Sequence, residues 1–320
     1  MNTETASIKQ TNFQFPDQTN FYRGKVRDVY EIDKRFMVMV ASDRISAFDV
    51  ILPREIPGKG AILNTIAAFF LEMTRHDVPN WLLKVPDGRV SIGYKCDPFP
   101  VEMVIRGRLC GHALREYNAG KRELCGVKLL DNMKPYQPFP EPIITPSTKA
   151  HEGHDEDISR EEILKRGLVS EEDYNILENY TRKLFETGSK YAAERGLILA
   201  DTKFEFGKRG GKIYLIDEIL TPDSSRYYFA EGYDDHIKHG TTPKQLSKEF
   251  VREWLMENGF QGLEGQNVPE MTDEVVGRIV HRYKELFSLV TGQEFESVRT
   301  ASDTAQLERK ILSALKELHT

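Results

Sequence analysis

The chain has 320 residues, 39% of them hydrophobic, with 50 acidic against 44 basic side chains and a formal net charge of −6. That length suits two or three domains with real cores, and the acidic balance argues against long-range attraction to nucleic acid, so any affinity for phosphate has to be local. Cys96, Cys110 and Cys125 are odd in number and widely spaced, which forms neither a disulfide framework nor a zinc pattern and points to reduced thiols. The start "MNTETASIKQ" lacks the basic and apolar parts of a signal peptide, and no run reaches the ~18 apolar residues of a membrane span. The expectation is a soluble cytoplasmic protein with no membrane partner.

In chain order, "YRGKVRDVYEI" at 22–32 packs Arg23, Lys25 and Arg27 around Gly24 before turning apolar. By itself it is a cationic turn, and a solvated hairpin is its simplest reading. "VRDVYEI" and "RFMVMVA" read as strands joined by a polar turn at Asp33 and Lys34, the second apolar enough to be covered on both faces. A long connection rich in charge and glycine follows, of a length that is usually functional, and a helical pattern begins near Ala61. "PGKG" just before that helix offers unpaired first-turn amides to an anion. The spacing G-x-x-x-x-G-K-[ST] is absent throughout.

Residues 101–105 read as a buried strand ending in Arg106, Gly107 and Arg108. The tract 134–159 gathers five prolines with charge and with His151 and His154. Its prolines exclude an ordinary helix or central strand and leave an ordered surface excursion or a flexible lid. The two histidines could serve a metal, but in a proline-rich acidic loop a solvated surface is the commoner outcome. Apolar residues at helical spacing predict a helix over 171–195, closed by Gly196. "LILADTKFEF" and "KIYLIDEIL" flank "GKRGG" as a β-hairpin, and from His236 the chain is mostly helical, including 274–290 and 302–318. The domain expectation is a β-rich nucleotide-binding lobe over 1–100, an α/β lobe for ATP and substrate over 101–235, and a helical segment over 236–320.

Chemistry concentrates in the hairpin. Asp201, Lys203 and Glu205 alternate with Thr202, Phe204 and Phe206, so the three charges share a face, which a solvated sheet would explain equally well. Asp217 and Glu218, however, close the apolar run "IYLI" on the partner strand. Carboxylates from adjacent strands can hold Mg²⁺, which needs one or two of them beside waters and nucleotide phosphates. Either Asp217 or Glu218 can face Glu205, because the register is not readable. "TPDSSR" offers Asp223, Ser224, Ser225 and Arg226 behind a proline, either as a phosphate-binding loop with a bidentate arginine or as a polar turn closed by its own bonds.

Taken together, "RGKVRDVYEI", "ASDRISAFDVILPREIPGKG", "VEMVIRGRLCGHALREY", "TPSTKAHEGHDEDIS", "DTKFEFG" and "IDEILTPDSSRYY" resemble, in order, the motifs of the SAICAR synthetase family, over roughly 21–233. The resemblance implies an α+β, ATP-grasp-like or kinase-like fold of two lobes: a β-rich N-terminal lobe and an α/β second lobe, with added C-terminal helices. It implies an ATP-dependent carbon–nitrogen ligase of purine biosynthesis that joins L-aspartate to carboxyaminoimidazole ribotide (CAIR) using ATP and Mg²⁺. Its partners would be these small molecules, with no nucleic acid, and the oligomeric state stays open.

By the same resemblance, Gly24, Lys25, Val26 and Arg27 hold the nucleotide phosphates, and Glu102, Met103 and Val104 lie beside adenine. Glu205 and Asp217 hold the metal and also contact ATP, while Lys25, Asp201 and Asp217 are catalytic. Ser42, Asp43, Arg44, Ser46, Lys59, Arg106, Asp201, Asp223, Ser225 and Arg226 belong to the substrate pocket, and a loop over 140–157 excludes water as a lid. His112 stands where many members have serine, and Asn64 and Ala67 replace hydroxyl residues common after "PGKG". The alternatives are another ATP-grasp ligase or a small-molecule kinase; the V-A-I-K strand and H-R-D loop of protein kinases are absent.

Overall fold

In "VYEI" the alternation is real: Tyr30 and Ile32 are fully buried, while Val29 and Glu31 are half-buried. The computed structural model describes residues 7–149 and 156–319, so His151, His154 and the middle of the expected lid lie outside the described residues. The chain runs through β1 (Gln18–Arg23), β2 (Arg27–Ile32), β3 (Phe36–Ala41), the short pair β4 (Ser46–Ala47) and β5 (Val50–Ile51), α1 (Lys59–Met73), β6 (Leu82–Asp87) and β7 (Val90–Tyr94). Among the described residues β1, β2, β3, β7 and β6 lie in that order in an antiparallel sheet. Asp33 and Lys34, with left-handed φ of 51° and 53°, are the central residues of the turn closed by the Arg35 N–H on Ile32 O at 3.0 Å, and Arg35 completes the three-residue connection from β2 to β3. Central β3 sends Phe36, Val38 and Val40 into the core and leaves Met37 and Met39 half-buried, so one of its faces is less covered than its composition suggests.

The next elements are β8 (Asp97–Arg108), α2 (Gly111–Asn118), β9 (Glu123–Leu124), β10 (Val127–Lys128), β11 (Pro138–Ile144) and β12 (Ser147–Thr148). After them come α3 (Arg160–Lys165), α4 (Glu171–Ala193), β13 (Leu197–Arg209), β14 (Lys212–Ile216), β15 (Ser225–Phe229) and α5 (Tyr233–His239). Their sheet has the order β11-β8-β13-β14, with β12 also on β8 and β15 also on β13. The proline-rich tract supplies β11 at the sheet edge, where missing N–H groups need not break a ladder. α4 matches the helix expected there: Ser170 Oγ accepts from the Asp173 amide at 3.1 Å, and Gly196 follows with a left-handed φ of 68°. The "GKRGG" hairpin forms with left-handed Gly210 and Gly211 between β13 and β14.

Among the described residues three α-helices, α6 (Glu249–Glu257), α7 (Asp273–Thr291) and α8 (Thr304–His319), and one 3-10 turn (Phe295–Ser297) follow. They do not stand as a third body. One compact unit gathers the chain up to Glu72, Trp81–Lys95 and the chain from Lys248, and the other gathers Met73–Asn80 and Cys96–Ser247. The physical reason is the apolar face of the last helix. Leu307, Ile311, Ala314 and Leu315 share one buried cluster with Tyr30, Ile32, Val38, Val40 and Ile92, covering a sheet face that must be buried against something. Among the described residues no helix is long and apolar enough to cross a membrane.

Leu307 is fully buried in that cluster. Leu307→Ala should therefore lower unfolding free energy by about 2–5 kcal/mol in urea titration, as core truncations do. A loss under about 0.5 kcal/mol, typical of surface positions, would show that α8 does not complete this core.

Candidate active site

In the first unit, residues 24–26 join β1 to β2 in a tight turn whose Gly24 N–H donates to Arg27 O at 2.8 Å. The Lys25 side chain is exposed and its ammonium pairs with Asp49, which sits with Phe48 in a left-handed turn between β4 and β5. Both partners are more than half exposed, so the pair adds little to stability and Lys25 is readily exchanged onto another anion. Arg23 has a different task. It bonds Asp28 at 3.2 Å, Thr11 O at 2.7 Å and Asn12 Oδ1 at 2.6 Å, tying down the base of the turn.

The "SDR" segment packs against this turn. Ser42 Oγ donates to Val26 O at 2.8 Å, while Arg44 Nε and Nη2 donate to Lys25 O and Gly24 O, each at 3.0 Å. Arg44 Nη2 also meets Asp28 Oδ1 at 2.9 Å. Asp43 is wholly buried, and its carboxylate accepts from Arg89 Nη1 at 2.7 Å, the Gly60 amide at 2.9 Å and the Ile8 amide at 3.1 Å. The anion expected at the start of α1 is thus the protein's own, because Asp43 takes the first-turn amide of Gly60. Glycine is required there by close approach: a Cβ would stand 2.3 Å from Ala41 O. Lys59 is fully buried with its ammonium over the Tyr283 ring, 5.8 Å from the centroid, and Ser46 is half-buried in β4. Ser42, Asp43 and Arg44, expected in a substrate pocket, therefore all have protein partners. A charge pattern reads the same in either role.

In the second unit, register sets Asp201 opposite Arg106, Lys203 opposite Val104 and Glu205 opposite Glu102. Opposed residues share a face, so one stripe of charge crosses β13 and β8. Arg106 meets Asp201 at 3.1 Å; Lys203 meets Glu102 at 2.7 Å and Glu205 at 3.7 Å; Lys149 also pairs with Glu205. Glu102, Arg106, Asp201 and Glu205 are each less than a tenth exposed, which rules out the solvated-face reading. Burial pushes the Glu205 carboxyl up, but the ammoniums of Lys203 and Lys149 outweigh it and hold the group below its ordinary range. In Glu102 burial wins over Lys203, with Glu205 adding to it, and the carboxyl is raised. Met103 is fully buried on the other face, and Val104 O accepts from the Thr145 amide at 2.8 Å, so residues 102–104 run inside the sheet.

The hairpin register leaves Ile216 opposite Glu205, with Asp217 next in left-handed backbone at φ 62°. Glu218 accepts from Thr221 Oγ1 at 3.0 Å and so braces the following turn, while its charge also acts on Lys203 of the stripe, so both acids stay close to the end of β14. Both readings of "TPDSSR" contain part of the result. Thr221 and Ser224 close a turn on themselves, with the Thr221 amide donating to Ser224 Oγ at 3.1 Å and the Asp223 amide to Thr221 Oγ1 at 3.3 Å. Ser225 and Arg226 already belong to β15, because the aromatic run "RYYF" extends readily beside β13. Arg226 lies opposite Asp201 and donates to its Oδ2 at 2.7 Å, the same oxygen that Arg106 reaches, while Ser225 Oγ donates to Thr202 Oγ1 at 2.8 Å.

Lys203, Lys149, Asp49 and Gly111 are among the residues of these clusters to which the sequence assigns no role. Lys203 shows itself by alternation, but the other three depend on partners distant in sequence. Gly111, with φ 53°, lets the Arg226 guanidinium approach so closely that a Cβ would stand 2.3 Å from Cζ. His112 Nε2 lies 2.7 Å from Asp157 Oδ2; burial raises that carboxyl, but the His112 contact prevails and lowers it. The thiols of Cys96 and Cys125 are pushed by burial to about 11 and about 12, which keeps them protonated and inert.

Among the described residues no three His, Cys, Asp or Glu side chains gather as a metal cluster. Mg²⁺ does not need one, since a pair of carboxylates beside phosphate suffices. The donors fit it in kind: Glu205 supplies a hard oxygen held ionised by ammoniums, and Asp217 follows directly on the residue opposite it.

A β-rich unit bearing a cationic turn, and a second unit with a buried carboxylate and lysine stripe, place the chain among the α+β, ATP-grasp-like enzymes. The family profile described as SAICAR synthetase matches residues 20–267. The phosphoribosylaminoimidazole-succinocarboxamide synthase of Cytophaga hutchinsonii is 60% identical over 309 residues, covering 97% of this chain and 99% of that protein. A solved structure described as SAICAR-synthase from Saccharomyces cerevisiae complexed with SAICAR superposes with a TM-score of 0.77 at 34% identity, over 90% of this chain and 99% of that one. Another, described as SAICAR synthetase (Type-2) in complex with ADP, gives 0.65 at 26% identity, over 86% and 99%. The chain belongs to the SAICAR synthetase family.

Removing the stripe's central cation should make stability depend on pH. In Lys203→Met, Glu102 and Glu205 lie buried side by side with only Lys149 left on Glu205, so the folded pKa of Glu102, already raised, climbs further above the unfolded one. Stability from a raised acid is present below the unfolded pKa and lost as pH rises through the folded value. The variant should melt near the parent at about pH 5 and progressively below it toward about pH 8. An equal deficit at both pH values would contradict this electrostatic account.

Proposed function

We infer that the chain catalyses ATP-dependent amide formation between L-aspartate and the carboxylate of carboxyaminoimidazole ribotide, releasing ADP and phosphate, in the cytoplasm. The observation that carries this reading is the buried charged stripe of β13 and β8, with Asp201 gripping Arg106 and Arg226, in a chain of this family. Relatives described with SAICAR and with ADP support the same product and nucleotide.

A carboxylate is a poor acyl donor because oxide would have to leave. The proposed route therefore starts with a ribotide carboxylate oxygen attacking the γ-phosphorus, while the bond to the ADP oxygen breaks. The aspartate amine then attacks the acyl carbon of this acyl phosphate, the carbon–oxygen bond to phosphate breaks, and the amine proton passes to a base. Lys25 and Arg27 would offset phosphate charge in the first step, the dominant protein contribution to phosphoryl transfer. Glu205 and Asp217 would hold Mg²⁺, which when bound supplies further neutralisation of that charge. Arg106 and Arg226 would present their guanidinium forks to the ribotide anion, and Asp201 orients both by accepting from each on one oxygen. Adenine beside 102–104, and Asp223 and Ser225 beside the ribotide, belong to the same proposal on the strength of the family motif.

The reaction test is ADP release with each substrate omitted in turn. ADP should appear only with ribotide and aspartate together, in equal amount to the amide; a phosphorylated product without aspartate consumption would identify a kinase instead. Asp217→Asn should lower kcat on the order of 10²–10³-fold while ribotide binding changes little. Near-normal turnover would remove Asp217 from the metal site. Gly111→Ala tests the ribotide end, because its Cβ displaces the Arg226 guanidinium. The expected result is a ribotide KM raised about tenfold, the worth of one charge-assisted hydrogen bond, with the KM for ATP unchanged.

A further inference from the structure

We propose that Arg44, assisted by Ser42, is a positioning residue for the nucleotide phosphates and not a ligand of aspartate or ribotide. The proposal rests on the reading of 24–27 as the phosphate turn. Three successive carbonyls of that turn are held by the "SDR" segment: Gly24 O and Lys25 O by one guanidinium, and Val26 O by the Ser42 hydroxyl and amide, at 2.8 and 3.0 Å. In a trans peptide the C=O and the following N–H point in opposite directions. Fixing the carbonyls of Gly24 and Lys25 on Arg44 therefore aims the amides of Lys25 and Val26 away from it. Successive amides aimed to one side make an anion-binding concavity, and they do so here beside the exposed Lys25 side chain.

The rest of Arg44 is used within the protein. It is 5% exposed, and its guanidinium also donates to Asp28 Oδ1 and to Lys9 O. Four acceptors thus surround its five N–H donors, leaving little of the fork for a substrate carboxylate. Only a planar guanidinium spans two consecutive carbonyls and a carboxylate at once; a lysine ammonium is a point charge that cannot. Asp28 keeps the fork in place, and Arg23 holds that carboxylate from the other end of the turn.

The test is steady-state kinetics of the full-length variants Arg44→Lys, Arg44→Ala, Ser42→Ala and Lys25→Ala, with separate KM values for ATP, ribotide and aspartate. Arg44→Lys should raise the KM for ATP about tenfold, the worth of one charge-assisted hydrogen bond, and leave the other two within about twofold. Ser42→Ala should shift the same constant less, and added guanidinium ion should restore part of the ATP affinity of Arg44→Ala. If Arg44→Ala fails to fold, Arg44→Lys keeps a cation beside Asp28 and carries the test with Ser42→Ala. A rise in the aspartate or ribotide KM as large as that for ATP, or no change in any, overturns the proposal. Lys25→Ala separates the two levels. If it leaves the ATP KM unchanged, the phosphate-turn reading fails; if it raises that constant while Arg44→Lys does not, the positioning role alone fails.

Discussion

Glu102 and Glu205 stand directly opposite each other in the sheet of the second unit, and both are buried. Two like charges in that position repel, and neither is well solvated. The arrangement holds because Lys203 lies on the same face within reach of both, and Lys149 adds a second ammonium to Glu205. The stripe is therefore balanced by cations, and it splits the two carboxyls: Glu102 is pushed up and Glu205 down. A carboxylate kept ionised in a buried setting suits a hard cation brought in with nucleotide phosphate, and this stripe keeps one ready.

Further along the same strands the roles reverse. Asp201 is a single carboxylate that serves two guanidiniums, and Arg106 Nε also donates to Thr145 Oγ1 at 2.9 Å. An acid that fixes two arginines fits recognition of a dianion, where geometry and charge both matter. Gly111 extends the logic to the backbone, since its missing Cβ is what lets Arg226 lie where it does. Lys203 and Asp201, two positions apart on β13, thus organise a carboxylate pair and an arginine pair on one strand.

Much of this was legible in the sequence. Alternation in "ADTKFEF" defines a charged and an apolar face, and the Gly-Gly turn and helical spacing of α4 are local signals that local physics obeys. What was not legible depends on partners distant in the chain. Nothing in "TPDSSRYY" distinguishes a loop arginine from one already paired opposite Asp201, and nothing in the last helix says which sheet it covers. The "SDRISAFD" block shows the sharper limit. Asp43 and Arg89 form a pair with no exposed side-chain surface, and Asp43 fills the helix end where an outside anion was expected. Buried structural charge and catalytic charge have the same composition, and only the partner list tells them apart.

That distinction also resolves the three cations of "RGKVR". Arg23 is spent on Asp28, Thr11 and Asn12, and its job ends at the base of the hairpin. Lys25, with more than half of its side chain exposed, rests on an exposed Asp49 that costs little to leave. Arg27 begins β2 half-buried, where the strand itself limits its freedom. A loop that must hold polyphosphate needs its backbone set in advance, because ordering it on binding would take entropy from the affinity. The struts that set it cannot be the same groups that bind, so charges of both kinds must crowd into one short stretch. A dense cationic turn is then the expected look of a preorganised anion site, with part of its charge facing the ligand and part facing its own backbone.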